Sequence, residues 1–482
     1  MKWKIEIKNF LGGFSPKWYS ESFPSFGNSN MAGDMANIDL TNAGFLTQGP
    51  GLANLTNGTQ AAAVTTLIKG MTDYAVTSDV AYGVGGAKLY KFSSTAVTNA
   101  GDWPHTIDKA AVTGEDGEDV ILFQGNLYYS YNHSGSAGDI GKFDLASTFD
   151  DDWGSTVPTG AAALTNNPHP FGLGGNDTMA FGNGRYVGTY DGTTFEDQGL
   201  DFASGAVVMD LQWLNDQWWI TVNLPNITGS NKQTAAIYPW DGTSTSWGPQ
   251  VIPLMGRAGA SFVRNGILFQ FYQDVSNSAG GYKLGYISGG GIIDVANFEG
   301  ALPLYYQVTD YKDFIIWESS GLRWAFGSGD KDLPVRVFQL ADNGYSTIGG
   351  LACPFGTPIV ASYDGASAYR LAKDSEYDTA CNWKSLMFDI TGEGKSSRIK
   401  TVRINFEQLA TNARVDWKLL NNKGTTIVSD TISHTKLGAV TTAWYNYPGK
   451  VAENFRVEFD YTNGNATNSV KIKSVKIWGI TE

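Results

Sequence analysis

A short hairpin recurs along this chain, and its recurrence restricts the fold more than any other feature. One copy runs Val120-Ile121-Leu122-Phe123, turns at Gly125-Asn126 and returns as Leu127-Tyr128-Tyr129. Another runs from Val207 to Leu214, turns at Asn215-Asp216 and returns through Trp218-Trp219-Ile220-Thr221-Val222. A third spans Ala260 to Val263, turns at Asn265-Gly266 and returns as Ile267-Leu268-Phe269-Gln270-Phe271. Apolar β-formers on both sides of a Gly, Asn or Asp pair are the strongest local hairpin signal. Further turns fall at Gly85-Gly86, Asn183-Gly184, Lys312-Asp313 and Asp364-Gly365.

These seven turns recur at intervals of 32 to 58 residues, about 46 on average. Most copies are followed by another short strand, such as Ile140–Asp144, Ala236–Trp240, Tyr282–Tyr286 or Val335–Phe338. About four strands per repeat of this length is the pattern of a β-propeller. A lone four-stranded blade has two apolar faces and cannot cover both. Closing blades into a ring covers every face and leaves only short outer edges. The expectation is an all-β chain with a propeller over residues 46–380. Seven blades are favoured; six and eight also fit, because one interval is only 32 residues. The last copy lacks an outer strand, which Ile38–Thr41 or Phe45–Thr47 could supply.

Composition agrees with many short strands. The 482 residues include 58 Gly, 25 Phe, 23 Tyr and 15 Trp, with only 17% charged residues. The net charge of −13 argues against a nucleic-acid partner, whose phosphates need clustered Lys and Arg. The N-terminus has no apolar segment of signal-peptide type, and no window reaches the length of a membrane span.

Residues 1–45 read as an extended arm. Phe10 to Tyr19 is aromatic but broken by Gly and Pro, and Ser25 to Met35 is small and polar. Such a segment cannot bury its aromatics against itself. It is either a strap on its own domain or an arm that docks on a neighbour, with Trp3, Phe10, Phe14, Trp18 and Tyr19 as anchors. Residues 381–482 change pattern. Val402–Phe406 and Phe455–Phe459 alternate apolar and polar residues, as strands with one buried face do. Six to eight such strands in this length make a jelly-roll-like β-sandwich.

A search for chemistry returns little. His105, His133, His169 and His434 have no metal-ligand spacing, and Pro168-His169-Pro170 reads as a turn. Cys353 and Cys381 form no C-x-x-C pair; they read as ordinary thiols or as one bridge near the domain boundary. No metal or cofactor is expected. Gly394-Lys395-Ser396 lacks the remainder of a phosphate loop, and Gly83–Gly86 and Gly172–Gly175 read as hairpin glycines. Glu115–Asp119 and Asp150–Asp152 read first as solvated acidic loops, then as calcium or carboxylate-pair sites. Tyr190–Phe195 and Trp240–Trp247 partly match the Asp-box turn of glycosidase propellers.

The arm, ring and sandwich together resemble a class of tailed-bacteriophage virion proteins. Three stretches carry the resemblance: Thr47-Gln48-Gly49-Pro50-Gly51-Leu52-Ala53-Asn54-Leu55-Thr56, Tyr74-Ala75-Val76-Thr77-Ser78-Asp79, and Trp383–Ile390 leading into Ile399–Ile404. The resemblance implies a structural part of a tail, neck or tail tip, made in the host cytoplasm and localised to the virion. It implies other virion proteins as partners, repeated copies around a symmetric tail, and no catalytic residues. The expected function is therefore a non-enzymatic platform docked through its arm. A second reading is a propeller that binds carbohydrate on the host surface. A third, a glycoside hydrolase, requires an acidic pair on the propeller axis.

Overall fold

The computed structural model describes residues 2–7, 10, 32–41, 45–55, 64–109, 113–156, 164–225, 234–273, 280–327, 336–342, 347–365, 368–378, 381–389, 397–421, 423–452, 454–462, 464–465 and 467–481. Almost all of the regular structure is antiparallel sheet. Seven sheets follow one another in sequence as the blades of a propeller.

Blade 1 contains Ala81–Gly85, Lys88–Phe92 and His105–Thr106. Residues 69–72 run along its inner edge, where Lys69 N donates to Val84 O and Thr72 N to Tyr82 O. Blades 2 to 6 each have four strands in chain order, beginning at Glu115–Phe123, Phe171–Gly174, Val207–Leu214, Ala258–Arg264 and Val308–Tyr311. These first strands lie against one another around the axis. Blade 7 takes three strands, Thr347–Ala352, Ile359–Tyr363 and Tyr369–Tyr377, from the end of the ring. Its fourth is Pro50–Asn54 from the start, with Ala372 opposite Asn54 and Lys373 opposite Ala53. The ring is thus closed by hydrogen bonds between segments over 300 residues apart. Neither expected closing segment fills this place. Ile38–Asp39 pairs instead with Thr47–Gln48.

Buried aromatic and aliphatic clusters fill the seams between neighbouring blades. Phe202, Val208, Trp218 and Tyr238 join blades 3 and 4; Phe271, Phe298, Trp317 and Trp324 join blades 5 and 6. This inter-blade packing accounts for much of the aromatic content, since large flat side chains bury the most area per residue.

The turns explain the irregular spacing. Leu214 pairs with Gln217, and Asn215 and Asp216 have φ of 54° and 58°, the left-handed pair that a two-residue hairpin requires. Asn265-Gly266 is the same. The blade 2 turn is shifted by one residue to Gln124-Gly125. In blade 3 the turn near 184 joins the second and third strands, whereas those at 215 and 265 join the first and second. The short interval therefore compares two different hairpins, and no blade is missing.

The sandwich draws on both ends of the chain. One sheet has the order Lys2–Ile7, Ile472–Thr481, Ser397–Phe406, Thr442–Ala452. The other contains Ala32–Ala36, Asn382–Ser385, Asn454–Asp460, Arg414–Asn421 and Thr426–Ser433. Lys2–Ile7 pairs along its whole length with Val475–Ile480. Within the expected arm of residues 1–45, Lys2–Ile7 and Ala32–Ala36 are strands of the sandwich, whereas Ile38–Asp39 pairs with Thr47–Gln48. Phe10 is fully buried, edge-on to Trp383 at 4.9 Å, and half-buried Trp3 packs on Phe455 at 6.0 Å. Phe10 belongs to the chain's own core, and Trp3 packs against it. Phe14, Trp18 and Tyr19 lie outside the described residues, as does Gly394-Lys395-Ser396. The sandwich core continues into the seam between blades 6 and 7 through Phe338, Leu340 and Leu351. Cys353 and Cys381 are free thiols.

Candidate functional site at the propeller axis

The first strands enclose an axial cavity of about 310 Å³, within the range of small-molecule sites. Its wall carries Asp73, Asp119, Asp210 and Asp310, with Tyr305 and Tyr306. The run Glu115–Asp119 is accordingly not a solvated loop. It is the first half of the innermost strand of blade 2, where Glu115 and Glu118 are buried. A polar inner strand is tolerated because its carboxylates are paired: Glu115 accepts from Lys109 N and Gly114 N, Asp116 and Glu118 bind Lys69, and Asp119 accepts from backbone N–H groups.

Two of the carboxylates fasten blades together. Asp119 Oδ1 accepts from Val120 N, and Oδ2 accepts from Phe171 N of blade 3 at 2.8 Å. Asp210 repeats the device between blades 4 and 5. Its Oδ1 accepts from Leu211 N, and its Oδ2 accepts from Ser261 N and, at 3.1 Å, Ser261 Oγ. Both residues follow register shifts in their inner strands, which turn the carboxylate toward the next blade. Burial lifts Asp119 well above the usual carboxylate range despite these bonds, and the charges of Asp73 and Asp210 add to the lift. Burial raises Asp210 to about 6.

Asp73 is held differently. It stands at the end of the inner edge of blade 1, with its side chain exposed on the wall of the open cavity and surrounded by the inner strands of the ring. Among the described residues its hydrogen-bond partner is the Thr309 hydroxyl, which donates to Oδ1 at 3.3 Å. Burial raises it to about 6, and neighbouring Asp310 adds to the rise. Asp310 pairs with Arg264 Nη1 at 3.0 Å. Asp73 thus differs from Asp119 and Asp210: its hydrogen bond is to a side-chain hydroxyl, and it faces the open cavity.

A 3₁₀ turn, Tyr305–Gln307, leads from blade 5 into blade 6 and places Tyr305 and Tyr306 against the cavity. Tyr305 Oη donates to Glu118 O of blade 2 at 3.4 Å. Below it, Lys69 reaches Asp116 at 2.8 Å and Glu118 at 2.6 Å. Burial acts against the Lys69 ammonium, but the two carboxylates outweigh it and hold its pKa above the ordinary value. Burial lowers His169 to about 4; its Nε2 lies 2.6 Å from Thr165 O, consistent with a neutral ring in a turn.

The other acidic motifs serve the blades. Asp151 binds His105 Nε2 at 3.1 Å and Asp108 N at 3.0 Å. Asp191 and Asp241 each accept the backbone N–H groups two and three residues on, and Asp144 closes a similar turn with Ala146, Ser147 and Thr148. The partial Asp-box matches are therefore tight turns between third and fourth strands. Among the described residues no cluster of His, Cys, Asp and Glu is arranged to hold a metal, and no helix is long and apolar enough to cross a membrane.

No family model matches the chain, and no curated protein matches by sequence. Solved structures do. The PQQ-bound aldose sugar dehydrogenase of Streptomyces coelicolor is 11% identical with a TM-score of 0.40, over 67% of this chain and 97% of that one. A glycoside hydrolase family 43 arabinoxylan arabinofuranohydrolase of Bacillus subtilis is 10% identical with a TM-score of 0.31, over 88% and 98%. The extracellular domains 1–2 of Drosophila Semaphorin 1b are 7% identical with a TM-score of 0.38, over 68% and 87%. At such identities the likeness concerns the fold alone. The expectation that the chain is no enzyme is corrected here: two of these three structures are enzymes.

Neither Asp73 nor Asp210 stood out in the sequence. Each is a single Asp in an apolar or mixed segment, and only ring closure brings them to one cavity with Asp119.

Proposed function

We propose that the axial cavity is the working site of this chain, that it takes a sugar unit, and that it hydrolyses a glycosidic bond. The observation that carries the reading is Asp73: a carboxyl raised to about 6, in contact with the cavity, beside a second carboxylate, Asp310. Two carboxyls of unlike environment are what acid–base cleavage of a glycoside needs. Asp73 gives its proton to the departing glycosidic oxygen as the C–O bond breaks. Asp310, oriented by Arg264, takes a proton from the water whose oxygen bonds to the sugar carbon. Tyr305 and Tyr306 close one side of the cavity and offer hydroxyls and ring faces to the ligand.

The test is a panel of chromogenic glycosides assayed with the wild type and Asp73→Asn. Loss of a general acid lowers turnover by roughly 10²–10⁴-fold while the fold stays intact. The reading fails if no glycoside is turned over, or if the Asn variant keeps wild-type activity. The virion role expected from the sequence is a separate proposal, supported by the phrasing of three stretches.

A further inference from the structure

The outer face of the N- and C-terminal sheet carries an aromatic and basic platform far in sequence from the axial cavity. Trp444, on the edge strand Thr442–Ala452, is 57% exposed, an unusual degree for so large an apolar ring. Trp478 lies two strands away, with its ring plane within 9° of that of Trp444 and centroids 5.8 Å apart. On the strand between them, Arg403 is directly opposite Trp444, and its guanidinium sits 4.9 Å from the indole centroid. Arg403 Nε donates to Asn405 Oδ1 at 2.9 Å, which fixes the side chain beside the indole.

The register places further polar groups on the same face. Asn405 is bonded to Ser474 and Thr442, and Thr401 to Asn446. Lys4 is opposite Trp478, Glu6 is opposite Lys476, and Lys2 and Arg398 are both opposite Ile480. Among the described residues that this register places on the face are five cations, Lys2, Lys4, Arg398, Arg403 and Lys476, and one carboxylate, Glu6. That carboxylate is neutralised by Lys4 at 2.6 Å and Lys476 at 2.7 Å. On a chain of net charge −13, this is a concentration of positive charge against the overall sign.

We infer that this face binds an acidic polysaccharide, a chain of pyranose rings bearing carboxylate or sulfate groups. The indoles supply flat apolar surfaces for the C–H faces of sugar rings, and Asn405, Ser474 and Thr401 supply hydroxyl partners. Arg403 supplies the paired N–H groups that suit a carboxylate or sulfate. Shape alone would suit a neutral glycan equally; the charge selects the anionic class. The site is independent of the axial cavity, and neither reading requires the other.

The experiment measures binding of the full chain to polygalacturonate, dextran sulfate and neutral dextran by affinity electrophoresis, with tryptophan fluorescence as a second readout. Variants are Trp444→Ala, Arg403→Gln and the double variant; Trp444 is exposed enough for the fold to survive, which thermal unfolding verifies. The expected result is saturable binding to at least one acidic polymer and weak or no binding to neutral dextran. Each single variant should weaken it at least tenfold, and added salt should weaken it further. The inference is overturned if neither acidic polymer binds, or if neutral dextran binds equally well. It is also overturned if Trp444→Ala binds as wild type, since retention would then be simple ion exchange.

Discussion

Replacing Arg323 by methionine tests how the ring is held shut. Arg323 and Glu318 face each other across the hairpin of blade 6, Nε to Oε1 at 2.8 Å, and Arg323 Nη1 also donates to Asp374 of blade 7. Asp374 pairs in turn with Leu52 of the closing strand. The three side chains are 0%, 0% and 9% exposed. Burial disfavours the guanidinium, but the two carboxylates outweigh it and hold its pKa above normal, whereas burial raises Asp374 despite the arginine. At an effective dielectric constant near 20, one contact at this separation is worth about 6 kcal/mol of gross attraction. Desolvation of the guanidinium offsets much of that, so breaking such a group typically costs ~3–5 kcal/mol. Methionine fills similar volume, so the loss reflects charge and not a cavity. Guanidinium titration of both proteins at pH 7.5 should show that loss in the propeller transition. At pH 5 the loss should shrink. Without the arginine the folded-state pKa of Asp374 rises further, and a carboxyl raised on folding contributes stability that is full below its unfolded pKa and is lost as pH rises through its folded pKa. A deficit under about 1.5 kcal/mol, or one independent of pH, would refute the reasoning.

Two further outcomes follow from the same physics. Asp210 has a folded pKa of about 6 against an ordinary 3.8, so it binds its proton more tightly when folded. Its contribution is full below about pH 4 and lost as pH rises through 6, roughly 3 kcal/mol in all; Asp210→Asn should give a visibly flatter stability–pH curve over that window, and identical curves would dismiss the assignment. Phe10→Ala removes a fully buried ring from the sandwich and should cost ~3–5 kcal/mol by denaturant unfolding; a loss below about 1 kcal/mol would mean that the segment is not anchored there.

What could be read locally was read from local chemistry. Asn215-Asp216 and Asn265-Gly266 specify hairpins because their side chains and backbones tolerate left-handed φ, and the alternation in Val402–Phe406 specifies a strand with one wet face. Repetition of those signals was enough for an all-β ring and a sandwich. The placement of Lys2–Ile7, the choice of Pro50–Asn54 as closing strand, and the meeting of Asp73, Asp119 and Asp210 were decided only by tertiary structure. Strand addition depends on a partner hundreds of residues away, and a backbone edge accepts many sequences. Glu115–Asp119 shows the consequence: its composition suits a solvated loop, and only enclosure by six other blades makes that run a buried inner strand whose last residue lines the cavity, where burial raises its pKa.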